Sequence, residues 1–322
     1  MILWKEGAKM KLFVIGNGFD LAHGINSSYY DFRDYLGEEN CIFLNSLESM
    51  YGLLAGDWMD HVSEDIWKAS FEEYLWREFE SNLSEIDQAI IYDGEDIELG
   101  LESGDIWIED TLNEYWEDQY GFIKKLNDYV MAWVKQIDIS DIVKKTSIIK
   151  CNNDKFITFN YTLVLEKVYN IDNEDILHIH GSIDKNDFPP VIGHGDREKI
   201  DEMLELSREA REECDEKRCS IYNAVAKYYE RTLKNVREFL RINDRFFKSL
   251  DGVDKIYIIG HSLGDVDIPY FKKILENVDD NTRWYVHFHK SEDEENYKNK
   301  IISIGVNQEN ITMLRSEEIF NI

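Results

Sequence analysis

Residues 11–20, Lys-Leu-Phe-Val-Ile-Gly-Asn-Gly-Phe-Asp, set an unbroken apolar run directly against two glycines. A strand that is apolar at successive positions has no polar face to give to water. It must be buried on both sides, as in the parallel sheets of α/β proteins. Gly16 and Gly18, with Asn17 between them, supply the φ freedom for a sharp exit into a helix, and backbone N–H groups after such a turn suit a phosphate. A Gly-x-Gly pair also serves any tight strand-to-helix connection. The third glycine of the dinucleotide fingerprint is missing, since Leu21 and Ala22 follow and the next glycine is Gly24. Structural and phosphate-binding roles for the turn both stay open.

A chain of 322 residues, 43% hydrophobic and 13% aromatic, can bury a sizeable core as one elaborated domain or two small ones. No stretch of about 18 apolar residues occurs and the first residues lack a signal-peptide core, so a cytoplasmic protein without membrane insertion is expected. Met10 stands directly before the first strand and is a candidate alternative start. Cys41, Cys151, Cys214 and Cys219 are scattered, which argues against a disulfide framework and a structural zinc site. The formal charge of −29 repels a long polyanion, so extended nucleic acid is not an expected partner, whereas local backbone donors can still hold a small dinucleotide. Residues 57–120 carry 21 Asp or Glu against Lys68 and Arg77, a pattern that fits a solvated helical surface or a docking face for a basic partner.

Beyond the first turn, Ser27 and Ser28 stand where they can cap a helix carrying Tyr29, Phe32, Arg33 and Tyr35, and His23 lies between turn and cap. Trp67, Phe71, Leu75 and Phe79, then Trp107, Leu112, Trp116 and the stretch from Phe122 to Trp133, recur near helical spacing and read as core stripes. The interval from about 28 to 145 is therefore expected to be a helical insertion between the first two strands, and 196–250 a second one. Lys155 to Asn160, Asp175 to Gly181, Lys255 to Gly260, Arg283 to His289 and Ile311 to Leu314 read as the further strands. Asn17, Asn160 and His180 then fall at carboxyl ends, where open sheets collect ligands. Strand alternation places His178 and His180 on one face, which admits a metal pair, although only Asp184 and His194 offer further ligands nearby.

Gly260-His261-Ser262-Leu263-Gly264 matches the nucleophile elbow of serine hydrolases, with Asp279 and His287 or His289 following in the order acid then histidine. Against it, 58 residues remain after Gly264, Asp265-Val-Asp267-Ile-Pro269 interrupts the start of the following helix, and no run of glycines upstream offers an oxyanion loop.

Taken in order, Gly16-Asn17-Gly18, Gly24-Ile25, Asp31-Phe32-Arg33, Thr158-Phe159-Asn160-Tyr161 with Glu166, His180-Gly181-Ser182 and Gly260-to-Asp267 resemble the motifs of sirtuin-like NAD-consuming domains. Gly-Asn-Gly-Phe-Asp-Leu-Ala-His-Gly together with Ser-Tyr-Tyr-Asp-Phe is similar to the AbiH family of phage abortive-infection proteins. The resemblance covers the sheet segments and not the insertions. It implies a mainly parallel, Rossmann-like (sirtuin-like) α/β domain spanning residues 1–322 with two large helical insertions. It also implies an NAD pocket with Asn160 near the ribose and His180 as general base, both catalytic. Gly16, Asn17, Gly18, Phe19, Asp20, His23, Gly181, Gly260, Ser262, Asp265 and Asp267 would bind the dinucleotide, without a metal. The sequence departs from the sirtuin-like pattern at Thr162, where Asp is usual, and at Asn26, where Pro is usual, and it lacks a four-cysteine zinc module.

The chemistry suits these residues. Nicotinamide can leave from an oxocarbenium-like centre while the protein orients ribose and water, and an imidazole of ordinary pKa near ~6.5 is mostly neutral at cytoplasmic pH. Asn160 as a plain helix cap and His180 as a backbone-bonded structural residue remain the alternatives. The expected function is an anti-phage NAD glycohydrolase. A nucleotide sensor acting through a protein partner or a homo-oligomer on the helical insertions, and a serine hydrolase, are the competing readings.

Overall fold

A computed structural model describes residues 10–52, 75–86, 90–91, 94–95, 108–150 and 153–320. Trp67, Phe71, Trp107 and most of the acidic stretch lie outside them. Among the described residues six strands form, β1 (Met10–Ile15), β2 (Lys155–Thr158), β3 (Ile176–His178), β4 (Val253–Ile259), β5 (Arg283–Phe288) and β6 (Ile311–Arg315). They form one sheet in the order 3-2-1-4-5-6, and every pair is parallel. The fold is α/β and Rossmann-like.

Burial on both faces explains the apolar run of β1. Leu12 and Val14 join Ile157, Ile256, Ile258 and Val286 beneath Tyr270, Phe271 and Ile274 of the helix Ile268–Leu275, which has a proline in its first turn. Phe13 and Ile15 join Phe156 and Ile259 against Val164, Leu165 and Tyr169 on the other face. Parallel register also aligns Phe156, Phe13, Tyr257 and Tyr285 into an aromatic row across four strands, with successive ring centroids 5.1, 5.2 and 4.8 Å apart. Such stacked pairs add to simple area burial and hold register.

Two compact units emerge from the contacts. The sheet unit comprises residues 1–28, 131–191 and 235–322, and the helical unit 29–130 and 192–234. The short helices Val236–Ile242 and Asp244–Lys248, inside the second bracket read from sequence, belong to the sheet unit. Within the helical unit, Glu198–Glu212 and Glu216–Thr232 form a hairpin that turns at Cys214 with φ +60°, and the Asp215 carboxylate caps the second helix by accepting from the Arg218 N–H at 2.9 Å. Trp76, Phe79 and Phe32 pack there in one aromatic cluster. Lys234, 1% exposed, donates to Glu80 at 2.6 Å, an ion pair that desolvation makes costly unless both ends stay matched. Before the helix Tyr29–Glu39, the Ser27 hydroxyl donates to Asn17 Oδ1 at 2.7 Å.

Candidate functional site

In the order 3-2-1-4-5-6 the sheet reverses its direction of growth between β1 and β4, and ligands of open α/β sheets gather outside the carboxyl ends at such a reversal. Both glycine turns meet there. A Cβ on Gly16 would stand 2.5 Å from the Gly260 oxygen, and one on Gly260, whose φ is +66°, 2.3 Å from the Phe19 nitrogen. The Gly18 N–H donates to the Gly260 carbonyl at 2.8 Å and the Gly16 N–H to the Ile259 carbonyl at 3.0 Å. Glycine is needed here so that two turns can interlock, and these two amides are satisfied within the protein.

A polar corner forms beside that junction. The helix Asn17–Ala22 carries Asp20 inward, 1% exposed, where Thr162 donates to its Oδ2 at 2.5 Å. Burial pushes the Asp20 carboxyl up to about 6; Thr162, the Asn160 side chain and the charge of His178 oppose the rise, and the Glu166 charge adds to it. The chain leaves β2 at Thr158, whose Oγ1 accepts the Asn160 N–H at 3.1 Å. His178 completes the corner, with Nδ1 3.0 Å from the Asn160 carbonyl and Nε2 2.7 Å from Glu166 Oε1. Burial pulls the His178 pKa down, but the bond to and charge of Glu166 outweigh it and the net shift is upward. Asp20 Oδ1, Asn160 Oδ1 and Glu166 Oε2 are buried without a hydrogen-bond partner among the described residues. The Asn160 amide is thus near enough to Asp20 to favour its ionised form without closing an aligned bond.

A second corner surrounds His180. The strand reading that put His178 and His180 on one face fails because β3 ends at His178, residues 179–180 turn, and Gly181 follows with φ +83°. Period-two alternation holds only while the backbone stays extended. His180 Nε2 instead lies 3.0 Å from the Tyr270 hydroxyl and 3.8 Å from Asp267 Oδ1, while Asp267 Oδ2 is 3.5 Å from His261 Nε2. The Leu263 N–H donates to His261 Nδ1 at 2.9 Å, so neutral His261 carries its proton on Nε2, facing Asp267. The Phe159 ring stands edge-on to both imidazoles, with centroids 5.3 and 4.2 Å away. A buried histidine beside a carboxylate can accept a proton and be stabilised as imidazolium.

The family model for bacteriophage abortive infection AbiH matches residues 12–288, from β1 to the end of β5. The chain belongs to the AbiH family. No curated protein and no solved structure gives a match. Membership assigns an anti-phage, abortive-infection role, and the AbiH match spans the glycine turns and both polar corners.

The other residues singled out in this AbiH chain lie at the edges of that arrangement. His23 donates from Nδ1 to the Phe19 carbonyl at 2.7 Å and meets the Tyr169 hydroxyl with Nε2 at 2.8 Å, and burial lowers its pKa. Asn17 is exposed and holds Ser27. Gly181 admits the chain 188–189, since a Cβ there would be 2.5 Å from the Pro189 oxygen. Ser262 is exposed, with no hydrogen bond to a histidine among the described residues, and His287 of β5 is buried and pushed down to about 4 by desolvation. Lys300 clamps the last turn by donating to the Leu263 carbonyl and to Asp265 Oδ1, each at 2.9 Å. Among the described residues no group of three or more His, Cys, Asp or Glu could hold a metal ion, and no helix is long and apolar enough to cross a membrane. Tyr270, His261 and Phe159 escaped the sequence reading as site residues. Only the histidine inside Gly-His-Ser-Leu-Gly gave a local signal for them.

Proposed function

We propose that this AbiH chain acts in abortive infection as an NAD glycohydrolase, with Asn160 and His180 as the catalytic residues. The observation that carries the reading is the juxtaposition, at the strand-order reversal, of the β1 and β4 glycine turns with polar groups delivered from the ends of β2 and β3. Two buried acceptors without donors among the described residues, Asp20 Oδ1 and Asn160 Oδ1, fit a ligand that brings hydroxyl groups, as a ribose does. In the reaction the bond between nicotinamide and C1′ of the ribose breaks, a water oxygen bonds to C1′, and the proton released by the water goes to His180. Neutral nicotinamide and ADP-ribose are the products. Asp267 at 3.8 Å would stabilise the imidazolium so formed.

One observation favours the competing sensor reading: the Gly16 and Gly18 amides are already bonded within the protein and give nothing to a pyrophosphate. Incubation of the purified chain with NAD, with and without phage-infected lysate, separates the two. Free nicotinamide supports cleavage; saturable NAD binding with no nicotinamide under either condition supports the sensor.

A further inference from the structure

We infer that at neutral pH His178 is a charged clamp, held as imidazolium between the Asn160 carbonyl and the Glu166 carboxylate, and that His178 and Glu166 are positioning residues acting through Asn160. The deduction starts from donor and acceptor types. A backbone carbonyl can only accept, and so can an ionised carboxylate. His178 faces the first through Nδ1 at 3.0 Å and the second through Nε2 at 2.7 Å. A neutral imidazole has one N–H and can serve only one of them. With Glu166 as a carboxylate, both bonds exist together only when both ring nitrogens carry protons.

The surroundings favour that state. Three acidic groups act on the ring: Glu166 in direct contact, with Asp20 and Asp187 at longer range. The upward shift of His178 despite its burial is in line with this. The clamp fixes a short segment that has left the regular sheet. Asn160 is tied by its N–H to Thr158 Oγ1 and by its carbonyl to His178, while its Oδ1 has no partner among the described residues. Backbone atoms are thereby anchored on both sides of a side chain whose acceptor remains for a ligand hydroxyl. Misplacement of such a group by a fraction of an ångström is costly to catalysis.

The functional arm rests on the NAD-cleavage reading; the clamp itself does not, and the test separates them. In the full chain labelled with ¹³C and ¹⁵N, with His178 assigned through His178→Gln, both ring nitrogens should report protonation through neutral pH. Glu166→Gln, close to isosteric, should lower the His178 midpoint by roughly one pH unit or more, and the Asn160 carbonyl ¹³C shift should move at the same midpoint. Glu276→Gln, an exposed acid on another element that removes the same charge, should leave both unchanged. In the NAD assay the alkaline limb of kcat should follow the His178 midpoint downward in Glu166→Gln, with KM nearly constant. A singly protonated His178 at neutral pH, or an Asn160 carbonyl that ignores the titration, overturns the clamp. A moved midpoint with an unmoved alkaline limb overturns positioning alone, and absence of nicotinamide from the parent overturns NAD cleavage while the two spectroscopic readouts still decide the clamp. If Glu166→Gln does not fold, raising the pH of the parent through the His178 midpoint gives the same carbonyl comparison.

Discussion

Replacing Asp20 by Asn should stabilise the protein at neutral pH and not at acid pH. Asp20 has an ordinary carboxyl pKa of 3.8, and burial raises it to about 6 in the fold. The protonated form is therefore preferred by the native state: stability from this group is fully present below the unfolded pKa, declines as pH climbs, and is lost once pH passes the folded value. A shift of that size corresponds to about 3 kcal/mol, taking ~1.4 kcal/mol per pH unit. Asn keeps an oxygen to accept from Thr162 Oγ1 and carries no charge to desolvate. Urea unfolding of parent and Asp20→Asn at intervals from pH 8 to pH 4 should show the variant ahead by up to about 3 kcal/mol at pH 7 and above. The gap should narrow as pH falls through 6 and vanish near the ordinary value of 3.8. A variant less stable at pH 8, or an advantage independent of pH, would refute the reasoning that burial of this charge dominates the corner.

Three further outcomes are expected. Asn160→Ala and His180→Ala should each cut nicotinamide release by on the order of 10²- to 10⁴-fold with unchanged circular dichroism, while Ser262→Ala does far less; the opposite ranking would mark a serine hydrolase. Gly260→Ala should destabilise by about 3 kcal/mol or more, read by thermal melting, because its Cβ would lie 2.3 Å from the Phe19 nitrogen at a φ of +66°. Lys234→Met should cost roughly 3 kcal/mol in urea unfolding by taking the cation from Glu80 in the helical unit, and a neutral result would mean that apolar packing replaces the pair.

The sheet was legible because its strands are written as continuous apolar runs. Leu12 to Ile15 and Ile256 to Ile259 are buried on both faces, as a central parallel strand requires. The edges were less legible. Thr158-Phe159-Asn160 and His178-Ile179-His180 keep a strand-like composition past the point where β2 and β3 stop, so both strands read too long and the two imidazoles read as neighbours on one face. A similar limit affects the helices 236–242 and 244–248, since amphipathic spacing reveals an apolar face and not the core that it meets.

The polar corners show why site chemistry is harder to read than strands. The bond from Thr162 to Asp20 spans 142 positions and that from Tyr270 to His180 spans 90, so no local window contains either pair. In a chain with 65 acidic residues, composition also gives no sign that Asp20 and Glu166 are among the few taken inside. Their burial follows from topology: the helix after β1 must start at once to let Gly18 meet Gly260, which turns Asp20, two residues on, toward the segment leaving β2. That segment presents Thr162, so the Asp20 carboxylate comes from the first strand's turn and the hydroxyl that meets it from the second. Thr162 and the glycine pair at 16 and 18 are thus physically linked. Asp at 162 would set a second carboxylate against buried Asp20, where like charges at such distance cannot both ionise.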